Sequence, residues 1–262
     1  MLLIADNLTA TNKAVQKAVV EKDPKPIREL VRNCAAAGAQ AIDINPGPLG
    51  RNPEEAMTFL VDVVQGVTNL PVFIDTPNSA AIEAALRCCK GKAIINGFSL
   101  EPAKLEAVLP LAKEYNTDIV GYLLRPDGHV PADADERLQI ALSIYEALCK
   151  AGIDRERLII DPIVVPIAWQ NGNFQNREVL TVIRQLPDLL AFPVRTVVGL
   201  SNLTATEGPR EKKLLIEIAY LCMLAEAGLS MVLMNALHKE SVKAARACRS
   251  LLHSSIFAWE EI

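Results

Sequence analysis

The stretch Thr196-Val197-Val198-Gly199-Leu200-Ser201-Asn202 decides how the fold of this chain is interpreted. Its first part is apolar and β-branched, which is typical of a strand buried on both faces of a parallel sheet. It then changes within one residue to a small polar turn that ends at Asn202. In a parallel barrel, such a turn opens onto the end of the barrel that carries the functional groups.

Four other apolar runs also end on aspartate or asparagine. They are Ala41-Ile42-Asp43-Ile44-Asn45, Val72-Phe73-Ile74-Asp75, Ala93-Ile94-Ile95-Asn96 and Leu158-Ile159-Ile160-Asp161. A buried strand has no packing reason to end on a polar side chain. The repeated ending therefore predicts one polar rim, suited to a ligand with several hydrogen-bonding edges.

Short apolar runs alternate with longer helical patterns along the chain. We predict eight strands with helices between successive strands, which is the element count of a (β/α)8 barrel. A doubly wound fold is the alternative, but the turn Ala5-Asp6-Asn7-Leu8-Thr9 has no glycine, and neither GxGxxG nor GxxxxGK[ST] occurs. We therefore predict a single TIM barrel over residues 1–262.

Local signals predict several element boundaries. The first strand is expected to end at Ala5, and the fifth to cover residues 118–124. Asp23-Pro24 is typical of a helix start and Gly38 of a helix end. The helix after the sixth strand is expected to begin at Asn176, following a long loop.

The composition argues against several kinds of partner. The chain has 262 residues and a formal net charge of −4, which does not indicate a surface for nucleic acid. No apolar run approaches the roughly 20 residues that span a bilayer, and the first residues do not resemble a secretory signal. Six cysteines without CxxC spacing do not indicate a zinc or iron–sulfur site. We expect a cytoplasmic protein without nucleic acid or membrane partners.

The mixture of aspartate and asparagine at the predicted rim indicates a kind of ligand. The rim residues are Asp43, Asn45, Asp75, Asn96, Asp161, Ser201, Asn202 and Asn235. An ionised aspartate accepts hydrogen bonds from adjacent N–H groups, and asparagine both donates and accepts. The set fits a fused ring with amide and amidine edges, such as a pterin. Each residue could instead cap a helix or bond a loop.

Metal and Schiff-base chemistry have less support. None of the three histidines lies at a predicted strand end, and His238, just beyond strand eight, is expected to be a solvated helix residue. Three aspartates could hold Mg²⁺, but nothing positive at the rim indicates a phosphate for the ion to bridge. No predicted strand ends on the lysine that a Schiff base needs. We predict no metal site.

In their order and spacing, these motifs resemble the methyltetrahydrofolate:corrinoid protein methyltransferases, relatives of the folate module of cobalamin-dependent methionine synthase. The resemblance covers nearly the whole chain. It is carried by Ala41-Ile42-Asp43-Ile44-Asn45-Pro46-Gly47, Ile74-Asp75, Ile95-Asn96, Ile160-Asp161-Pro162 and Gly199-Leu200-Ser201-Asn202. It implies a homodimeric barrel that transfers a methyl group between N5 of tetrahydrofolate and the cobalt of a corrinoid carried by another protein.

The resemblance also implies roles for the rim residues. Asp75, Asn96 and Asp161 would bind the pterin, and Asn202 would lie beside N5. The remaining rim residues, Asp43, Asn45 and Ser201, would complete the site. Because an amide does not titrate, Asn202 would stabilise the charged or partly protonated N5 by hydrogen bonding rather than act as a general acid.

Three places depart from the family pattern. The family often has Gly-Glu-Arg-Ile-Asn after strand one, whereas this chain has Ala5-Asp6-Asn7-Leu8-Thr9, which keeps an acid but not the arginine. Asn235 stands where an aspartate is common, and the segment after Asn202 differs and is slightly longer. All three places lie on or near the open face, so they concern the corrinoid partner. We expect a small corrinoid protein of an O-demethylase or methylamine-type system, with the methyl group flowing toward tetrahydrofolate.

Three other functions remain open. Dihydropteroate synthase shares the barrel and pterin pocket, but it places basic residues where this chain has Ser201-Asn202-Leu203, and a Ser/Thr-Arg-Pro loop where this chain has Asn45-Pro46-Gly47-Pro48. Without those charges, the expulsion of pyrophosphate has no obvious helper. A non-catalytic folate-binding subunit would keep the pterin-binding aspartates and would not need Asn202. A metal-dependent aldolase is the third alternative.

Overall fold

The computed structural model describes residues 1–9, 11–47, 52–252 and 259. The strands are β1 (Leu2–Thr9), β2 (Ala41–Asn45), β3 (Val72–Ile74), β4 (Ala93–Phe98), β5 (Asp118–Tyr122), β6 (Leu158–Asp161), β7 (Arg195–Gly199) and β8 (Met231–Met234). The α-helices are α1 (Lys13–Glu21), α2 (Pro24–Ala37), α3 (Pro53–Gln65), α4 (Ser79–Cys88), α5 (Pro102–Glu114), α6 (Ala134–Lys150), α7 (Gly172–Leu190), α8 (Arg210–Glu226) and α9 (Lys239–Leu252). Short 3-10 helices cover Arg155–Arg157 and Leu200–Thr204.

The eight strands form one closed parallel barrel in chain order. Each strand pairs with the next, and β1 pairs with β8 from Leu2 opposite Met231 to Ala5 opposite Met234, which closes the ring. Since all the strands are parallel, their carboxyl ends meet at the same end of the barrel. The predicted single (β/α)8 barrel is confirmed.

A layer of apolar side chains fills the barrel and explains the position of the polar rim. The layer contains Ile4, Ala41, Phe73, Ile94, Val120, Ile159, Val197, Met231 and Leu233, which form one buried cluster. Side chains alternate between the two faces of a strand, so the residue two positions further on also faces inward. Counted from the layer, those positions are Asp6, Asp43, Asp75, Asn96, Tyr122, Asp161, Gly199 and Asn235. The rim is thus the next inward-facing layer, built mainly from polar residues.

The outer faces of the strands pack against the helices in two larger apolar clusters. The predicted caps of α2 illustrate how the helices are delimited. The Asp23 carboxylate accepts a hydrogen bond from the backbone N–H of Lys25 at 3.0 Å, and Pro24 is the first helical residue. Gly38 ends the helix at φ 107°, a left-handed conformation that favours glycine. Both predicted caps are confirmed.

Two predicted strand ends differ from the structure. β1 continues to Thr9 instead of ending at Ala5, because residues 8 and 9 resume the pairing with β2 after a register shift. β5 ends at Tyr122, two residues early, because the backbone N–H of Leu124 turns back to the Tyr122 carbonyl at 2.8 Å. Polar residues at a strand end therefore did not mark the end of pairing in β1.

The start of α7 also differs from its prediction. The helix begins at Gly172, four residues before Asn176. Asn176 is buried inside the helix, and its side chain bonds both the N–H and the carbonyl of Val165 at 3.1 and 2.8 Å. The residue that we predicted to begin the helix instead fixes the preceding loop. Among the described residues, no helix combines the length and apolar content needed to cross a membrane.

Candidate active site at the mouth of the barrel

The carboxyl end of the barrel contains a cavity of about 760 Å³. The predicted rim residues all line it: Asp43, Asn45, Asp75, Asn96, Asp161, Ser201, Asn202 and Asn235. They come from the ends of six strands and are separated by up to 192 positions in the chain, from Asp43 to Asn235. The structure therefore brings every residue of the predicted set to one place.

The first region of the mouth lies at the ends of β2, β3, β4 and β6. We call it the acidic half, and its residues are Asp43, Asn45, Asp75, Asn96 and Asp161. Asn45 Nδ2 donates to Asp75 Oδ2 at 2.6 Å, and Asn96 Nδ2 donates to Asp43 Oδ1 at 3.2 Å. The backbone N–H of Ile163 donates to Asp161 Oδ1 at 2.8 Å. Each carboxylate is thus held by one internal donor.

The second oxygen of each of these carboxylates differs from the first in its hydrogen bonding. Among the described residues, Asp43 Oδ2, Asp75 Oδ1 and Asp161 Oδ2 accept no hydrogen bond. Three carboxylates around one cavity therefore each keep an oxygen for a donor on a ligand. An ionised carboxylate binds N–H groups more strongly than a neutral acceptor does.

Tyr122 is a member of the site that we did not predict. Its hydroxyl donates to Asn96 Oδ1 at 3.0 Å, while Asn96 Nδ2 is used by Asp43, so both ends of the amide are oriented. Tyr122 lies two positions after Val120 of the inner layer, and this period was the signal that could have identified it. In the neighbouring strand β4, the backbone at Gly97 is crowded by β5: a β-carbon at Gly97 would lie 2.3 Å from the Val120 carbonyl oxygen, so only glycine fits there.

Burial disfavours the ionised form of the three aspartates in the acidic half. It raises the pKa of Asp75 to about 6 and the pKa of Asp161 to about 7. Burial also raises the pKa of Asp43 well above its ordinary value, and the nearby charge of Asp75 adds to this effect. The described lining contains no lysine or arginine. A ligand that presents N–H donors would therefore stabilise the ionised carboxylates.

The second region lies in the last part of β1 and in the segments after β7 and β8. We call it the amide half, and its residues are Asn7, Ser201, Asn202, Asn235 and His238. Asn235 Oδ1 accepts hydrogen bonds from Asn7 Nδ2 at 2.7 Å and from the backbone N–H of residue 237 at 2.9 Å. Its Nδ2 therefore faces His238 Nε2 at 3.3 Å, and that contact is a hydrogen bond when Nε2 is unprotonated.

The prediction for His238 was wrong. The residue is half-buried, and its ring lines the cavity beside Asn235 rather than standing in solvent. Asn7 was noted only as part of a departure from the family pattern, and it also lines the cavity. Its Oδ1 accepts from the backbone N–H of Ala236 at 2.9 Å, which joins the ends of β1 and β8. The two contacts of Asn7, with Asn235 and Ala236, link residues more than 200 positions apart, so no local pattern indicates them.

Ser201 and Asn202 differ in their bonding. Ser201 Oγ donates to Asp6 Oδ2 at 3.1 Å, and burial, with a smaller contribution from the charge of Glu217, raises the pKa of Asp6 to about 6. Asn202 is exposed, and its side chain makes no hydrogen bond to another described residue. Its amide lies over Gly199, where a β-carbon would come within 3.1 Å of Asn202 Nδ2. The Asn202 amide is therefore free to bind a ligand.

Two other observations bear on predicted features of the site. The described residues contain no group of three His, Cys, Asp or Glu side chains arranged to hold a metal ion. Pro48, the last residue quoted for the loop after β2, lies outside the described residues.

Comparisons with known proteins identify the family of this chain. The pterin binding enzyme family matches residues 7–235. The chain is 27% identical over 208 residues to the methylcorrinoid:tetrahydrofolate methyltransferase of Eubacterium limosum, which covers 78% of this chain and 74% of that protein. It is 22% identical over 247 residues to the methionine synthase of Mycobacterium leprae, which covers 90% of this chain but only 20% of that protein.

Solved structures resemble the chain at lower identity. A dihydropteroate synthase from Xanthomonas albilineans superposes with a TM-score of 0.69 at 19% identity, over 97% of this chain and 93% of that one. The dihydropteroate synthase of Yersinia pestis gives a TM-score of 0.68 at 16% identity, over 95% of this chain and 94% of that one. At these identities the likeness concerns the fold alone. The family match, by contrast, spans most of the chain and includes the ends of all eight strands, and on that basis this protein belongs to the pterin binding enzymes.

Proposed function

We propose that this chain is a methyltransferase that moves a methyl group between N5 of tetrahydrofolate and the cobalt of a corrinoid held by a partner protein. The observation that carries the proposal is the pairing within the mouth. Three carboxylates keep an oxygen free on one side, and the unbonded amide of Asn202 lies on the other. The similarity to a methylcorrinoid:tetrahydrofolate methyltransferase supports the same reaction.

The acidic half suits the pyrimidine end of a pterin. That end presents adjacent N–H groups, and an ionised aspartate can accept two of them at once. We assign this binding to Asp75, Asn96 and Asp161, with Asp43 and Asn45 holding them in place through the hydrogen bonds described above. Asp43 is only 3% exposed and Asn96 only 5%, so water competes little for these positions.

The amide half suits the reacting end of the folate. N5 changes its charge as the methyl group arrives or leaves, and a neutral amide can hydrogen-bond to it throughout. We assign this role to Asn202. Asp6 is bonded to Ser201, the neighbour of Asn202 in the chain, and we assign to Asp6 the exchange of the N5 proton through water. The corrinoid, as the partner's group, supplies the cobalt that gives or takes the methyl.

A dihydropteroate synthase reaction is the second candidate, because solved synthases share the fold. That reaction expels pyrophosphate, which requires positive charge at the site. The described lining offers no lysine or arginine. Arg51 lies outside the described residues, so the two reactions are best separated by experiment.

The test is a transfer assay with free reduced cobalamin. Protein mixed with 5-methyltetrahydrofolate should bind it and should convert cob(I)alamin into methylcobalamin, which the visible spectrum follows directly. Methylcobalamin with tetrahydrofolate should give the reverse change. A parallel reaction with p-aminobenzoate and the pyrophosphate ester of a hydroxymethyl pterin should yield no dihydropteroate. Formation of dihydropteroate without methyl transfer would reject the proposal.

The partner and direction are the finer part of the proposal. We propose a homodimer that receives the methyl group from a small corrinoid protein of a demethylase system. Two corrinoid proteins should be compared as methyl donors to tetrahydrofolate, one of this small kind and one of the iron–sulfur kind. Equal or faster turnover with the iron–sulfur protein would exclude our choice of partner, and light scattering of the purified protein measures the dimer.

A further inference from the structure

Arg137 is the largest fully buried side chain in the described part of the molecule, with 0% exposure. It lies on α6, behind the mouth of the barrel. Its Nε donates to the carbonyl of Pro131 at 3.0 Å, and its Nη1 donates to the carbonyl of Pro162 at 2.9 Å and to that of Ile163 at 3.4 Å. The guanidinium thus joins the loop before α6 to the turn that follows β6.

That turn holds Asp161 in place. Ile163 has φ 63°, a left-handed conformation that is costly for a β-branched residue. In this conformation its N–H points back at Asp161 Oδ1 at 2.8 Å, and Ile163 itself lines the cavity. Because Arg137 binds the two carbonyls of the turn from behind, it stabilises the conformation that orients Asp161.

The charge of Arg137 is unusually placed for a structural residue. Its side-chain hydrogen bonds to described residues go to backbone carbonyls and not to a carboxylate, and within the described residues its buried Nη2 has no partner. Burying a guanidinium in this way costs free energy. A neutral donor could bind the same carbonyls at a lower cost, so the positive charge itself requires an explanation.

Asp161 provides that explanation. Burial lowers the pKa of Arg137, and smaller opposing contributions come from Tyr220 of α8, Glu178 of α7, Asp161 of β6 and Asp133 before α6. Tyr220 donates its hydroxyl to a backbone carbonyl, and Glu178 accepts the N–H of residue 134. Burial raises the pKa of Asp161, the Ile163 N–H and the charge of Arg137 lower it, and the charge of Asp75 raises it. Arg137 is the cation among these groups.

We propose that Arg137 is a positioning residue of the pterin site. It holds the turn after β6, and its positive charge favours the ionised form of Asp161 that binds the ligand. The inference rests on the pterin-binding role that we propose for Asp161. Removal of the positive charge would leave Asp161 protonated over a wider pH range. A protonated Asp161 could no longer accept two N–H groups from the ligand.

The experiment compares Arg137→Met, which removes the charge and the donors, with Arg137→Lys, which keeps the charge. Arg195→Met is the control, because Arg195 bonds Asp118 at 2.9 Å at the start of β7, at the other end of the barrel. Two quantities are measured from pH 5.5 to 9: the dissociation constant for 5-methyltetrahydrofolate, and the titration of the Asp161 carboxyl carbon by ¹³C NMR, assigned with Asp161→Asn.

In Arg137→Met, we expect the titration midpoint of Asp161 to rise by about one pH unit. Binding at pH 7 should weaken about tenfold, with a smaller loss at pH 9. Arg137→Lys should retain a midpoint close to that of the wild type, and Arg195→Met should lower the melting temperature without moving the midpoint. If Arg137→Met does not fold, Arg137→Gln, which keeps donors without charge, takes its place in the comparison with Arg137→Lys.

A folded Arg137→Met protein with an unchanged Asp161 midpoint would overturn the inference, as would an equal loss of binding at every pH. The two proposals fail separately. If the wild-type protein binds no folate while the midpoint still depends on Arg137, the pterin role of Asp161 is wrong and the electrostatic link stands.

Discussion

The acidic half and the amide half of the mouth are built in different ways. The acidic half comes mainly from strand ends. Its residues Asp43, Asn96 and Asp161 are almost completely buried, and the most exposed of these three, Asp161, is only 8% exposed. The amide half comes mainly from the segments that follow β7 and β8, with Asn7 from β1, and it includes the exposed Ser201 and Asn202. A rigid set of acceptors thus faces a more accessible set of amides and hydroxyls.

The difference indicates that the two halves have separate functions. Buried carboxylates with raised pKa values are costly in the unliganded protein, and a ligand that donates N–H groups relieves that cost. The amide half carries less of this cost and is open to a second large reactant. Binding and orientation would therefore depend on the acidic half, and transfer on the amide half. Substitutions in the two halves should therefore separate binding from transfer.

The largest effect is expected from Asn202→Ala. Loss of the hydrogen bond to N5 should lower methyl transfer to cobalamin about 100- to 1,000-fold, while the dissociation constant for 5-methyltetrahydrofolate changes by less than about threefold. The visible spectrum of the corrinoid gives the rate, and fluorescence titration gives the affinity. Asn45→Ala, which removes an amide from the acidic half, is the matched control and should mainly weaken binding. Unchanged transfer in Asn202→Ala would make Asn202 an ordinary loop residue.

The next effect is expected from Asp75→Asn. The change removes an ionised acceptor and should weaken 5-methyltetrahydrofolate binding about 10- to 100-fold, as measured by calorimetry. The turnover of enzyme saturated with substrate should fall much less. Asp127→Asn, which alters an exposed carboxylate on the loop before α6, should leave the affinity unchanged. An equal affinity for Asp75→Asn and wild type would place the pterin elsewhere.

A pH-dependent change in stability should distinguish Asp161 from an ordinary ion-paired acid. Because its pKa is raised to about 7 in the folded state, its contribution to stability is fully present below the unfolded pKa and is lost as pH rises to about 7. Asp161→Asn should therefore increase the free energy of unfolding of the unliganded protein at pH 8 by about 1–3 kcal/mol. Near pH 4 it should have little effect. Urea denaturation measures both values.

Asp118→Asn provides a control of opposite sign. Burial alone would raise the pKa of Asp118, but hydrogen bonds and charges from Arg195 and Lys92 lower it overall. Its stabilising contribution is therefore present above the unfolded pKa, and its removal should destabilise the protein at pH 8. Destabilisation at pH 8 by both substitutions would show that the acidic half carries no electrostatic cost.

The smallest effect is expected from Tyr122→Phe. The change removes the hydroxyl that orients Asn96, while the bond from Asn96 to Asp43 remains. The affinity for 5-methyltetrahydrofolate should fall about three- to tenfold, as for the loss of one neutral hydrogen bond. Tyr145→Phe, on the outer face of α6 against Phe192, should have no effect on affinity. A loss as large as that of Asp75→Asn would mean that Tyr122 contacts the ligand directly.

Much of the fold and part of the site could be predicted from the sequence. Strand ends such as Asp43 and Asp161 interrupt apolar runs, and Gly38 and Asp23 are local signals of helix ends, so both kinds of feature can be recognised within a few residues. The start of α7 was mispredicted because no local sequence feature distinguishes Asn176, whose side chain binds the preceding loop, from the first residue of a helix. His238 was misinterpreted because its contact with Asn235 forms only after β8 and α9 have folded.

The sequence by itself determined the alternation of strands and helices, the closed barrel and the polar identity of the layer above the apolar interior. These properties depend on periodicity and on the residues at strand ends, which are local. Only the tertiary structure decided that Asn96 pairs with Asp43, that Tyr122 orients Asn96 and that Arg137 lies behind Asp161. Hydrogen-bond partners, burial and pKa values depend on distances between residues far apart in the chain, and those distances exist only after folding.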